Sequence, residues 1–194
     1  MRIFTQQITL PANMLAGYFQ FPEGIVNRSF SSLNPQEALH VAIFIEERNT
    51  RIYHEFAELF SEFHDTDSLE VASTFWEMAQ EERQHGTMLQ KLYFERYGNA
   101  ACGVTEEDIS EFIEVPKFEE ITTIAASPSN CNLSPRERAL EVGLRAEQSA
   151  LEYYHRLSSA CIDPELRSVY RELAQLECTH TEFLQKKVAA TKTA

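Results

Sequence analysis

The spacing Glu-x-x-His could do chemistry in this chain. Residues three apart lie on one face of a helix, where a carboxylate and an imidazole can serve the same ion. The pattern occurs at Glu37/His40, Glu82/His85, Glu152/His155 and Glu177/His180. One such pair means little in a chain rich in glutamate, so position on the helix must separate them. The stripe Val71, Phe75, Met78, Glu82, His85, Leu89, Leu92 advances in steps of three or four, which puts Glu82 and His85 on an otherwise apolar face. The stripe Leu166, Val169, Leu173, Glu177, His180, Leu184, Val188 does the same for the last pair. Glu46 falls between Ile43 and Thr50, and Glu147 between Leu144 and Leu151, on two further stripes. Glu152 shares its face with Glu141, Arg145 and Gln148, which reads as solvent, and Glu37 belongs to a helix cap. Those two pairs are set aside.

Four carboxylates and two imidazoles would then share one stretch of core, with no Arg or Lys on the stripes near them. Buried carboxylates without compensation must take up protons or bind cations. Two divalent ions cancel four carboxylate charges. One Glu from each of two helices and Glu-x-x-His from each of two others is the inward-facing set of a two-metal carboxylate bundle. The predicted metal ligands are Glu46, Glu82, His85, Glu147, Glu177 and His180, with Glu82 and Glu177 bridging and Glu46 and Glu147 terminal, one on each ion. Oxygen-rich ligands with one imidazole per ion suit iron, with manganese as the other choice. These ligands make fewer bonds than iron takes, which leaves places for water, O2 or peroxide. Tyr53 and Tyr154 each follow their Glu by two turns on the same face and are expected to hold Glu46 or Glu147 in place through their hydroxyls. Glu47 and Glu81 adjoin ligands but point off the stripes and are read as surface; Trp76 and the phenylalanines are read as core.

The elements that must position these residues are long helices. Gly 6 and Pro 7 are few for 194 residues, and 43% of the chain is apolar, enough for one sizeable core. Asn34-Pro35 with Glu37, and Ser134-Pro135 with Glu137, are helix starts. The first helix should end near His64, the second should run from about Ser68 to Tyr97, the third to about Ala160, and the fourth from Asp163-Pro164 to about Val188. The expected organisation is an irregular arm over 1–33 and a four-helix unit over 34–190. Residues 98–133 should cross over between the second and third helices, with a short helix near 106–113.

The two halves repeat. Leu33-Asn34-Pro35 matches Leu133-Ser134-Pro135, Glu46 matches Glu147, and Tyr53-His54 matches Tyr154-His155. Glu77-Met78-Ala79-Gln80 matches Glu172-Leu173-Ala174-Gln175, and Glu82 and His85 match Glu177 and His180. A duplicated helical hairpin places matched residues opposite one another near a pseudo-two-fold axis.

Composition excludes other classes. A net charge of −13 disfavours a nucleic-acid partner. No apolar run is long enough to span a membrane, and the first residues lack the apolar stretch of a signal peptide. Cys102, Cys131, Cys161 and Cys178 form no C-x-x-C pair, so no zinc ribbon or rubredoxin-type site is encoded, and the cytoplasm is the expected compartment.

In Glu46 with Tyr53, Glu82-Arg83-Gln84-His85, Glu147 with Tyr154, and Glu177-Cys178-Thr179-His180, the chain resembles the rubrerythrin branch of the ferritin-like superfamily over roughly residues 34–188. The resemblance implies an all-α, ferritin-like four-helix bundle with two irons. It also implies redox chemistry with hydrogen peroxide or O2, as a peroxidase, an oxidase or a ferroxidase that handles iron. The chain departs from the family pattern in two places. It has no four-Cys rubredoxin module, so electrons would come from a separate donor protein. Ala150 stands where the family has a seventh carboxylate, and Asn49 is its first-helix counterpart. The remaining six-ligand set is similar to the ferroxidase centre of bacterioferritin. The enzyme reading goes with a monomer or homodimer, and the storage reading with a closed shell of many subunits.

Overall fold

The computed structural model describes residues 33–105, 108–109 and 133–191. Among the described residues four long helices follow one another: α1 (Pro35–Ser61), α2 (Thr66–Tyr97), α3 (Pro135–Ala160) and α4 (Pro164–Thr191). No strand occurs among the described residues. The expected arm over 1–33, apart from Leu33, and most of the expected crossover with its short helix lie outside the described residues.

Side-chain caps set the helix starts. The Asn34 amide oxygen accepts from the backbone N–H groups of Gln36 (2.9 Å) and Glu37 (3.0 Å), while Glu37 accepts from the Asn34 N–H at 2.9 Å. Ser134 and Glu137 form the same reciprocal pair at 3.2 and 2.6 Å. Asp65 caps α2 by accepting from Ser68 N–H at 2.9 Å, so this helix begins at Thr66, two residues before the expected Ser68. Asp163 opens α4 by accepting from the N–H groups of Glu165 and Leu166. Each cap satisfies donors that would otherwise be orphaned and contributes about 1 kcal/mol.

Short turns make two hairpins, α1–α2 and α3–α4, and α1 also meets α3. Helices of 27, 32, 26 and 28 residues are roughly 40–48 Å long at about 1.5 Å per residue. Gly86 on α2 faces Glu46 on α1. A Cβ there would lie 3.3 Å from the Cβ of Glu46, a tight contact that would require a shift of a few tenths of an ångström.

The core is in two parts. Leu39, Ile43, Leu89, Tyr153, Tyr154, Tyr170 and Leu173 belong to one apolar cluster, and Tyr53, Phe56, Phe60, Phe75, Leu140 and Leu184 to the other. On every helix the residues between the two clusters include the acidic or imidazole side chains singled out above. The expectation that Trp76 and the phenylalanines are core holds only in part. Phe56, Phe60 and Phe75 are buried, whereas Trp76 is 49% exposed and Phe63, Phe94 and Phe183 are also exposed. Trp76 directly follows the stripe residue Phe75, and one residue turns a helix by about 100°. Its indole rests instead against the His54 ring, with centroids 5.3 Å apart.

Candidate metal centre

Between the two apolar clusters the four helices bring Glu46, Glu82, His85, Glu147, Glu177 and His180 together. The four glutamates have no exposed surface, and the two histidines are 8% exposed. The side chains fall into two groups of four whose donor atoms all lie within 4.8 Å of one another: Glu46, Glu82, His85 and Glu177, and Glu82, Glu147, Glu177 and His180. Glu82 and Glu177 belong to both groups, while each remaining residue belongs to one.

Both imidazoles face the carboxylates through Nδ1. His85 Nδ1 is 3.4 Å from Glu46, and 3.9 Å from both Glu82 and Glu177. His180 Nδ1 is 3.0 Å from Glu82, 3.3 Å from Glu147 and 3.7 Å from Glu177. These close approaches are largely not aligned as hydrogen bonds. Glu46 Oε2, both carboxylate oxygens of Glu82 and of Glu177, and His85 Nδ1 are buried without a hydrogen-bond partner among the described residues. Orphaned buried acceptors on this scale are costly. The donor set is oxygen-rich with one imidazole per group, so the residues present fit two hard or borderline divalent ions.

Electrostatics agree with that fit. Burial pushes Glu46 up to about 8, and the charge of Glu82 adds to the effect. Burial also raises Glu177 well above the carboxylate range, reinforced by Glu82 and Glu147. In Glu82, burial acts the same way, but contacts with His180 and His85 outweigh it and hold the carboxyl below its usual range. Burial alone would lower both imidazoles, yet Glu46 and Glu82 raise His85 to about 10, and Glu147, Glu177 and Glu82 raise His180. In the metal-free cluster these shifts all favour protons on the two imidazoles and on Glu46 and Glu177. Divalent ions would displace such protons and take over their charge compensation.

The tyrosines brace the site crosswise. The Tyr53 hydroxyl on α1 donates to Glu147 on α3 and lies 3.3 Å from the Gly143 carbonyl. The Tyr154 hydroxyl on α3 donates to Glu46 on α1 and lies 3.5 Å from the Ala42 carbonyl. Burial, together with the charge of Glu147 for Tyr53 and of Glu46 for Tyr154, keeps both phenols well above their ordinary titration range, so they remain donors. Each helix hairpin thus steadies the other's carboxylate.

Glu81 is the contact that the single-helix reading missed. Its side chain is 55% exposed, as expected of a surface residue, yet its Oε2 lies 2.8 Å from His180 Nε2. The pairs set aside stay outside the cluster: Glu152 and His155 are exposed on α3, and Glu37 serves the α1 cap. Cys161 and Cys178 are free thiols. No helix among the described residues is long and apolar enough to cross a membrane.

The rubrerythrin family model matches residues 37–188, which takes in all four helices. Two solved structures share the fold. An uncharacterised conserved protein from Magnetospirillum magnetotacticum MS-1 superposes with a TM-score of 0.62 at 20% identity, over 81% of this chain and 95% of that one. A hypothetical protein from Pyrococcus furiosus superposes with a TM-score of 0.62 at 20% identity, over 86% of this chain and 95% of that one. None of the curated proteins compared with the chain matches it.

Proposed function

The chain belongs to the rubrerythrin family, and from that premise we propose that it is a di-iron carboxylate protein that reduces hydrogen peroxide or O2 with electrons from an external donor protein. The observation that carries this reading is the pair of four-residue groups sharing Glu82 and Glu177. Two irons held there would supply one electron each, which with two protons matches the reduction of one hydrogen peroxide to two waters. In this reading Glu82 and Glu177 would be shared by the two ions, Glu46 with His85 would complete one position, and Glu147 with His180 the other.

The chain's own residues then have separate tasks. The carboxylates carry the negative charge that favours the oxidised state, so an external reductant must restore the starting state. Tyr154 and Tyr53 hold Glu46 and Glu147 against drifting when the bridging carboxylates shift. The two apolar clusters exclude bulk water from both ends of the site.

Anaerobic loading with two Fe2+ per chain, followed by stopped-flow mixing with peroxide or O2, tests the proposal. Oxidation should be much faster than for free Fe2+ in the same buffer, with the helical signal unchanged. Equal rates would contradict the redox function.

One observation favours a second reading, ferroxidase-type oxidation of Fe2+ as substrate. Ala150, fully buried, occupies the place where the family pattern has a seventh carboxylate. A ferroxidase continues to oxidise added Fe2+ well beyond two per chain, whereas a peroxide or O2 reductase stops without its donor.

A further inference from the structure

The two ligand sets are not equivalent, and the difference lies outside them. Glu82–His85 and Glu177–His180 occupy matching places in the repeat, so position 81 on α2 matches position 176 on α4. The α2 residue is Glu81, whose Oε2 lies 2.8 Å from His180 Nε2. The α4 residue is Leu176, partly buried against the core, whose side chain cannot accept a hydrogen bond. We propose that the two metal positions are unequal, and that Glu81 makes the position at His180 the tighter one, filled first. This rests on the reading that the six side chains hold two ions.

The two nitrogens of the His180 ring have different partners. An imidazole ligates through a nitrogen that carries no proton, and a partner on the other nitrogen decides which one that is. With Glu81 accepting from Nε2–H, the lone pair of His180 lies on Nδ1. That is the nitrogen 3.0 Å from Glu82, 3.3 Å from Glu147 and 3.7 Å from Glu177. The same hydrogen bond fixes the ring plane and brings a carboxylate charge to the back of the ring, which strengthens Nδ1 as a donor. For His85 all three carboxylate approaches are through Nδ1 and are longer on the whole, at 3.4, 3.9 and 3.9 Å. The repeat supplies leucine where a matching acceptor would stand. Removing such an outer partner typically lowers metal affinity about 10–100-fold.

Glu81 is therefore a positioning residue, and binding rather than turnover tests it. Metal-free wild type is titrated with Co2+, read by its visible absorption, to establish two ions per chain. The single-position variants His85→Ala and His180→Ala are then compared. The ion left in His85→Ala should bind about 10–100-fold more tightly than the one left in His180→Ala. Adding Glu81→Leu to His85→Ala should erase that advantage. Glu81→Gln, which keeps an acceptor without the charge, should restore part of it. Leu176→Glu in the His180→Ala background should tighten the weaker position. Because the side chain of Glu81 is largely exposed, its variants should keep the wild-type helical signal. If wild type binds no Co2+, the two-ion reading fails and this inference falls with it. If wild type binds two ions but the single-position variants have equal affinities, or Glu81→Leu leaves the difference intact, only the inference is overturned.

Discussion

Tyr53 and Tyr154 stand at matching places in the two repeats, yet the walls behind them differ. Tyr53 stacks on Phe75, with centroids 5.6 Å apart and planes 22° apart, and Phe75 in turn meets Phe56 at 4.9 Å. Tyr154 stacks on Tyr170 at 6.5 Å and 18°, and meets Tyr153 at 5.9 Å. Phe75 and Tyr170 are themselves matching positions of the repeat. The duplicated chain has kept the residues that touch the carboxylates and let the filling behind them vary. The metal centre demands particular atoms at particular points, whereas a plug needs apolar volume and tolerates an added hydroxyl.

The largest effects should come from residues that belong to neither side. Glu82→Ala or Glu177→Ala removes a carboxylate shared by both four-residue groups. Most binding of both ions should be lost, as measured by metal content after loading with Fe2+ and desalting. Glu46→Ala or Glu147→Ala touches only one group and should leave one ion. Retention of two ions by the Glu82 or Glu177 variant would break the distinction.

Next in size is the filling of the phenylalanine side. Phe75 is fully buried, so Phe75→Ala should cost about 3–5 kcal/mol in denaturant unfolding of the metal-free protein. A cost under about 1 kcal/mol would mean that the plug is not packed as described.

Protons should tell the centre from the plugs. Glu46 is raised from 4.5 to about 8, and His85 from 6.5 to about 10. A raised folded-state value means that each group stabilises the metal-free fold below its unfolded value and loses that contribution as pH rises through its folded value. Metal-free protein should therefore lose stability from pH 6.5 towards 10, while metal affinity rises over the same range because the ions displace these protons. Thermal melting of loaded and metal-free protein should show the gap widening with pH. A gap that narrows would contradict the assignment.

The hydroxyls give the smallest effects and sharpen the comparison most. Tyr53→Phe and Tyr154→Phe should each slow turnover while leaving two ions bound, because the hydroxyl steadies a carboxylate and is not itself in the ligand set. Tyr170→Phe should be neutral or stabilise by up to about 1 kcal/mol, since its buried hydroxyl has no hydrogen-bond partner among the described residues. A Tyr170→Phe variant that slowed turnover as much as Tyr154→Phe would show that the tyrosine wall takes part in the chemistry.

Much of this was legible from helical periodicity and from the repeat. The stripes that placed Glu82 and His85 among Val71, Phe75, Met78 and Leu89 are the faces that the helices bury. The caps at Asn34 and Ser134 are local chemistry and read directly. What depends on how one hairpin sits on the other was not legible. Spacing along α1 indicates that Tyr53 shares a face with Glu46, but the bundle sends its hydroxyl across to Glu147. Glu81 lies off the α2 stripe, and only the approach of α4 carries His180 to it. Trp76 reads as core by residue type alone, and its place one step past Phe75 turns it outward.

The central claim is that the six side chains hold two ions, and metal content tests it most directly. Wild type loaded anaerobically with excess Fe2+ and desalted should carry two irons per chain, falling to none or nearly none in Glu177→Ala with the helical signal retained. Wild type without iron, or a Glu177→Ala variant that keeps the wild-type content, would contradict it.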